Sequence, residues 1–83
     1  MAPALWRVDR GQAENAIVVA LRIQQEIGAR PEQARTCVSY ARLLDAWGDQ
    51  ARAREQLTEA LGMFREMGMT WDYERTEHAL RER

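Results

Sequence analysis

The sequence matches itself when shifted by forty residues, and this internal period restricts the possible folds more than any other feature. Laid over 50–83, residues 10–43 pair Ala13 with Ala53, Ala20 with Ala60, Leu21 with Leu61, Glu26 with Glu66, Gly28 with Gly68, Arg35 with Arg75 and Thr36 with Thr76. These seven identities fall within thirty-four gapless positions. Conservative pairs lie between them: Ile17 with Leu57, Ile23 with Met63, Ile27 with Met67, and Glu32 with Asp72. Richness in alanine and arginine supplies part of the match, but the identities also keep one helical phase. A period in this range marks stacked two-helix units, each too small to bury its apolar face alone.

Apolar spacing places four helices at about 12–27, 31–47, 49–67 and 70–82, within one domain spanning 1–83. In the first, Ala13, Ile17, Ala20, Leu21, Ile23 and Ile27 recur at three- and four-residue steps, the mark of one helical face. Gly28 supplies the left-handed residue that ends many helices, and Pro31 suits a helical first turn, where its missing N–H is no loss. The second helix presents Ala34, Cys37, Val38, Ala41, Leu44 and Trp47 on one broad face. Gly48 closes it, and Asp49 is placed to cap the third by accepting from its free N–H groups. Ala53, Leu57, Ala60, Leu61, Phe64 and Met67 form the third stripe, which ends at Gly68. The fold class expected is therefore all-α, with antiparallel helix–turn–helix units, because the connections are too short for another path.

The fourth segment differs. The core positions of the second helix, moved by forty, land on Glu74, Glu77 and Arg81, and only Trp71, Tyr73, Ala79 and Leu80 remain as apolar contacts. A terminal unit needs such a polar outer face, since no neighbour covers it. At the other end Ala4-Leu5-Trp6-Arg7-Val8 reads as the last turns of a preceding helix, which would make the chain a short excerpt of a longer array.

Composition sets outer limits. Hydrophobic residues make up 46% of the 83 and charged residues 30%, a foldable balance rather than a disordered one. A chain this short buries only about 60% of its unfolded surface, which leaves little room for an enclosed active site. The formal net charge of −1 offers no basic footprint for nucleic acid. All twelve cations are arginine, which reads mainly as GC-rich coding and only secondarily as bidentate carboxylate or phosphate recognition. Cys37 is the only cysteine, so no disulfide within the chain and no cysteine cluster can form. Met1–Val8 lacks a signal peptide's apolar region, and no run reaches membrane-span length. A cytoplasmic location, without membrane or nucleic-acid partners, is the expectation.

Little in the sequence carries chemistry. His78, the sole histidine, has Glu74 and Glu82 one turn away on either side, a trio better read as a solvated helix surface than as a catalytic or metal site. Cys37 falls inside the helix pair by phase and reads as a small buried hydrophobe. Trp6, Trp47, Trp71 and Phe64 suit packing between units better than a ligand platform, and Met63, Met67 and Met69 fill a core as readily as they line an adaptable surface. There is no phosphate loop, HExxH or CxxC pattern. No enzymatic activity and no cofactor are expected.

The middle of the chain resembles the tetratricopeptide repeat. The residues that carry the likeness are Cys37, then Tyr40 and Ala41, then Leu44, the turn Gly48-Asp49, and Ala53, Leu57 and Ala60, with Ala13, Ile17 and Ala20 repeating the alanine portion one period earlier. Alanines let two helices approach closely while Leu57 or Ile17 plugs the space between. Cys37 and Ala41 replace the family's tryptophan and glycine, Arg65 stands in place of its proline, and the period is forty instead of thirty-four. The elongated form, with Phe64-Arg65-Glu66-Met67-Gly68, looks like the C-terminal helical regions of bacterial LuxR-type activators and multidomain adenylate cyclases. The resemblance implies a two-repeat α-solenoid fragment whose repeat-packing positions include Cys37, Ala41, Leu44, Ala53, Leu57, Ala60 and Phe64. It also implies a concave groove showing Arg35, Val38, Arg42, Asp45, Arg75 and His78. Val38 and Arg42 replace the lysine and asparagine of the family's two-carboxylate clamp, so chaperone C-termini are not the expected ligand. A protein or peptide partner in a bacterial signalling context is expected. The alternative is a homo-oligomerisation element whose exposed helical faces pair copies, because two repeats are fewer than the three usually needed for stability.

Overall fold

A computed structural model describes residues 10–82. Among them the chain forms four α-helices and no strand: α1 (Arg10–Glu26), α2 (Arg30–Ala46), α3 (Gln50–Met67) and α4 (Thr70–Arg81). Each end lies within two residues of the boundary read from the sequence, the usual scatter of frayed helix termini. The expected helix end at Ala4–Val8, with Trp6, lies outside the described residues.

Helices α2, α3 and α4 start at 30, 50 and 70, so the structural step is twenty residues, half the sequence period. One turn, used three times, produces it. Gly28, Gly48 and Gly68 all adopt positive φ, between 71° and 83°. After α2, the Gly48 N–H donates to the Asp45 carbonyl at 3.0 Å and the Asp49 N–H to the Leu44 carbonyl at 2.8 Å. This is the Schellman pattern, which satisfies carbonyls left without partners at a helix end. The same pair of bonds recurs after α1 and α3, with Ala29 donating to Gln24 at 2.8 Å and Met69 to Phe64 at 2.9 Å. The Asp49 carboxylate then accepts from the Arg52 N–H at 3.3 Å and caps α3, while Pro31 stands in the first turn of α2.

The core lies between α2 and α3. Ala34 clusters with Ala60, and Ala41 with Ala53, each pair equidistant from Trp47 as an antiparallel hairpin requires. Within each helix the two alanines are seven residues apart and so share one face. All four are fully buried and bring the backbones close, while Leu44, Leu57 and Phe64 fill the space beside them. Tyr40 and Cys37 complete this core. The three α1 positions expected to pack, Ala13, Ile17 and Ala20, are half-buried, and no α1 residue is fully buried.

Two expectations for apolar contacts fail. Trp71 remains 65% exposed and Ala79 is exposed, because α4 meets the core through Thr76, Leu80 and Tyr73 instead. Ile23 and Ile27, read as part of the α1 stripe, are likewise exposed. Only α2 packs extensively on α1, and its contact is taken up by Ile17 and Leu21.

A polar cluster ties the first three helices together. The Tyr40 hydroxyl accepts from Arg52 Nη2 at 2.6 Å and donates to Glu14 Oε1 at 3.2 Å. Arg52 Nη1 also reaches Glu14 Oε1 at 3.1 Å and Asp49 Oδ2 at 3.5 Å. Burial raises the Tyr40 hydroxyl pKa above its ordinary value, with Arg52 opposing and Glu14 reinforcing the shift. At the opposite end of the hairpin Arg30 pairs with Glu66. Arg10 lies over the Trp47 ring, 4.9 Å from its centroid, and joins the start of α1 to the end of α2.

Candidate binding groove

The helices α2 and α4 both lie against α3, and the space between them is a groove of about 480 Å³. Its α2 wall carries Arg35, Val38, Ser39, Arg42 and Asp45, and its α4 wall carries Trp71, Asp72, Arg75, Thr76 and Ala79. Leu57 and Phe64, two turns apart on α3, reach it from below with Ala41 of α2. Regular spacing produces these walls. Arg35, Arg42 and the residues between them recur at three and four, as do Trp71, Asp72, Arg75, Thr76 and Ala79, so each set lies along one side of its helix.

Five of the six residues expected to share a concave face, Arg35, Val38, Arg42, Asp45 and Arg75, line this one groove. His78 does not. At 100° per residue it falls outside the arc that α4 turns to the groove, and its Nε2 lies 3.5 Å from Glu82 Oε2 on the exposed side. Glu74, flanking His78 in the sequence, is exposed as well.

Among the described residues no carboxylate forms an ion pair with Arg35, Arg42 or Arg75. Arg75 instead lies over the Trp71 ring, 4.7 Å from its centroid, a cation–π contact that holds both side chains at the groove edge. Asp45 and Asp72 put two carboxylates on the same walls. The result is a mixed but arginine-led rim above an apolar floor, able to form charge-assisted bonds outside and to seat an apolar side chain within.

Sequence reasoning did not assign Trp71, Asp72, Ser39, Leu57 or Phe64 to the groove. The spacing of Trp71 four residues before Arg75 was the available signal. Leu57 and Phe64 are buried in the core and also line the groove, a second contact that nothing local in the sequence indicates. Cys37 lies behind the groove in the core, where burial and, secondarily, the charge of Glu59 push its thiol up to about 11. Such a thiol is a poor nucleophile at neutral pH. No described helix is long and apolar enough to cross a membrane. No protein-family model, curated protein or solved structure matches the chain.

Proposed function

We propose that the chain is a non-catalytic protein-interaction module of the tetratricopeptide type, and that its α2–α4 groove holds an acidic peptide segment bearing an apolar side chain. The observation that carries this reading is the convergence of Arg35, Arg42 and Arg75, none of which forms an ion pair among the described residues, over a floor of Leu57 and Phe64. Arginine forms planar, bidentate bonds to carboxylates and gives up less conformational freedom per bond than lysine. A site combining charged rim and apolar floor recognises a ligand by both features. The likeness of the elongated repeat to bacterial LuxR-type activators and multidomain adenylate cyclases supports a signalling setting in the cytoplasm.

The test is fluorescence anisotropy with a labelled peptide of alternating glutamate and leucine, and its lysine–leucine counterpart as control. The acidic peptide should bind preferentially and more weakly as salt rises. Charge reversal of Arg35, Arg42 and Arg75 together should lower affinity at least about tenfold, corresponding to about 1.4 kcal/mol, with the helical spectrum unchanged. A folded triple variant that binds as before, or a wild-type chain without preference for the acidic peptide, refutes the assignment.

A further inference from the structure

Thr76 lies at the bottom of the α2–α4 groove, 4% exposed and as enclosed as the floor residues Leu57 and Phe64. A threonine within a helix commonly returns its hydroxyl to the carbonyl one turn earlier. Thr36 and Thr58 do so, donating to the Glu32 carbonyl at 2.9 Å and the Arg54 carbonyl at 2.8 Å. Thr76 holds the place of Thr36 in the second unit and is the better buried of the two. Its hydroxyl nevertheless makes no hydrogen bond among the described residues. The described side-chain oxygens that are both unpartnered and sealed from solvent belong to Gln24 and Gln56. Thr76 Oγ1 therefore keeps an opening, and the groove is where its residue opens. Of the buried residues that line the groove, Ala41, Leu57 and Phe64 are apolar, and Thr76 alone carries a side-chain hydrogen-bonding group.

We propose that Thr76 sets the specificity of the groove by hydrogen-bonding the phenol of a tyrosine, flanked by acidic residues, in the bound peptide. This rests on the acidic-peptide reading of the groove and names the side chain that anchors there. A wholly apolar anchor such as leucine would shut water out from the hydroxyl and give it no partner, which weakens binding. The flanking carboxylates engage Arg35, Arg42 and Arg75 at the rim, which keeps the peptide main chain at that level. The group that meets Thr76 is then the tip of the inserted side chain. Tyrosine carries its polar atom at the far end of an apolar ring, so the ring lies against Leu57 and Phe64 while the oxygen reaches the floor. An asparagine or glutamine would set its whole amide against those apolar walls, and the N–H of tryptophan projects from the flank of its ring. Phenol and threonine hydroxyl each donate and accept, so the pair is satisfied in either direction.

Fluorescence anisotropy of the full chain with glutamate-rich peptides that differ at one central residue, tyrosine, phenylalanine or leucine, tests the proposal. On apolar burial alone phenylalanine would bind at least as well as tyrosine. The wild type should instead bind the tyrosine peptide about tenfold more tightly, the scale of one buried hydroxyl left unpaired. Thr76→Val keeps the shape of the side chain and removes the hydroxyl. It should bring the tyrosine peptide down to the phenylalanine level and leave the phenylalanine peptide bound as well as before or better. Thr76→Ser, which retains the hydroxyl, should keep the preference. Since the Thr76 hydroxyl has no bond within the described fold to lose, Thr76→Val should melt no lower than the wild type by circular dichroism. Equal binding of the tyrosine and phenylalanine peptides by the wild type overturns the inference and leaves the acidic-peptide reading standing. So does a preference that survives in Thr76→Val, or a Thr76→Val chain that melts well below the wild type. Failure of all three peptides to bind overturns both together.

Discussion

Ala53 and Ala13 hold the same place in successive units, yet only Ala53 is closed in, and this difference can be measured. The Ala53 side chain is 0% exposed and is surrounded by Tyr40, Ala41, Leu44 and Leu57. A leucine there adds three carbons at the closest approach of α2 and α3, so the helices must separate or the leucine must leave its preferred rotamers. Such overpacking costs about 1–3 kcal/mol. A domain of this size has a total stability of about 4–12 kcal/mol, and each kilocalorie shifts its melting midpoint by about 4–8 °C. Ala53→Leu should therefore lower the midpoint by roughly 4–24 °C. Ala13 is half-buried on an open side of α1, and leucine is nearly as good a helix former as alanine. Ala13→Leu should stay within about 0.5 kcal/mol of wild type. Thermal melts followed by far-ultraviolet circular dichroism on dilute samples measure both variants. Equal losses at the two positions, or no loss at Ala53, would refute the packing argument.

Two further outcomes follow from groups in the core. Tyr40→Phe removes the hydroxyl that joins Arg52 to Glu14 but leaves the direct Arg52–Glu14 pair, so urea unfolding should show a loss of about 1 kcal/mol. Cys37 ionises at about 11 when folded, above the roughly 8.5 of an unfolded thiol. Its contribution is fully present below about pH 8.5 and is lost as pH rises toward 11, at up to about 1.4 kcal/mol per unit. Denaturant midpoints measured across that window should fall less steeply for Cys37→Ala than for wild type.

Local signals in the sequence were enough to place the helices. The stripe Ala53, Leu57, Ala60, Phe64 and the glycines at 28, 48 and 68 each act within one or two turns, where spacing alone decides the structure. The twenty-residue step was visible in those glycines too, but comparing residues 10–43 with 50–83 emphasised the longer period, since α1 and α2 differ in side chains while sharing a turn. Arg35, Arg42 and Arg75 could be set on one surface because helical phase and the family likeness agreed. His78 shows the limit of that reasoning: three residues beyond Arg75, a small angular offset turns it toward Glu82. The Glu14–Tyr40–Arg52 cluster left no trace in the spacing, because its members come from three helices and meet only after those helices pack. Trp71 misled for a related reason. Its size suggested burial, whereas Arg75 one turn later gives it a partner at the surface.

The repeated glycine turn has a kinetic consequence. Because each turn returns the chain at once, every extensive helix contact is between consecutive elements, α1 with α2, α2 with α3, and α3 with α4. Ordering therefore closes only short loops, and chains dominated by such local contacts fold in microseconds to milliseconds. The alanine-lined hairpin of α2 and α3 holds nearly all of the fully buried residues among those described, so it is expected to order first. The outer helices bury little, α1 no residue fully and α4 only Thr76, so they are expected to open first, which sets one wall of the groove on a part of the molecule expected to exchange readily with solvent.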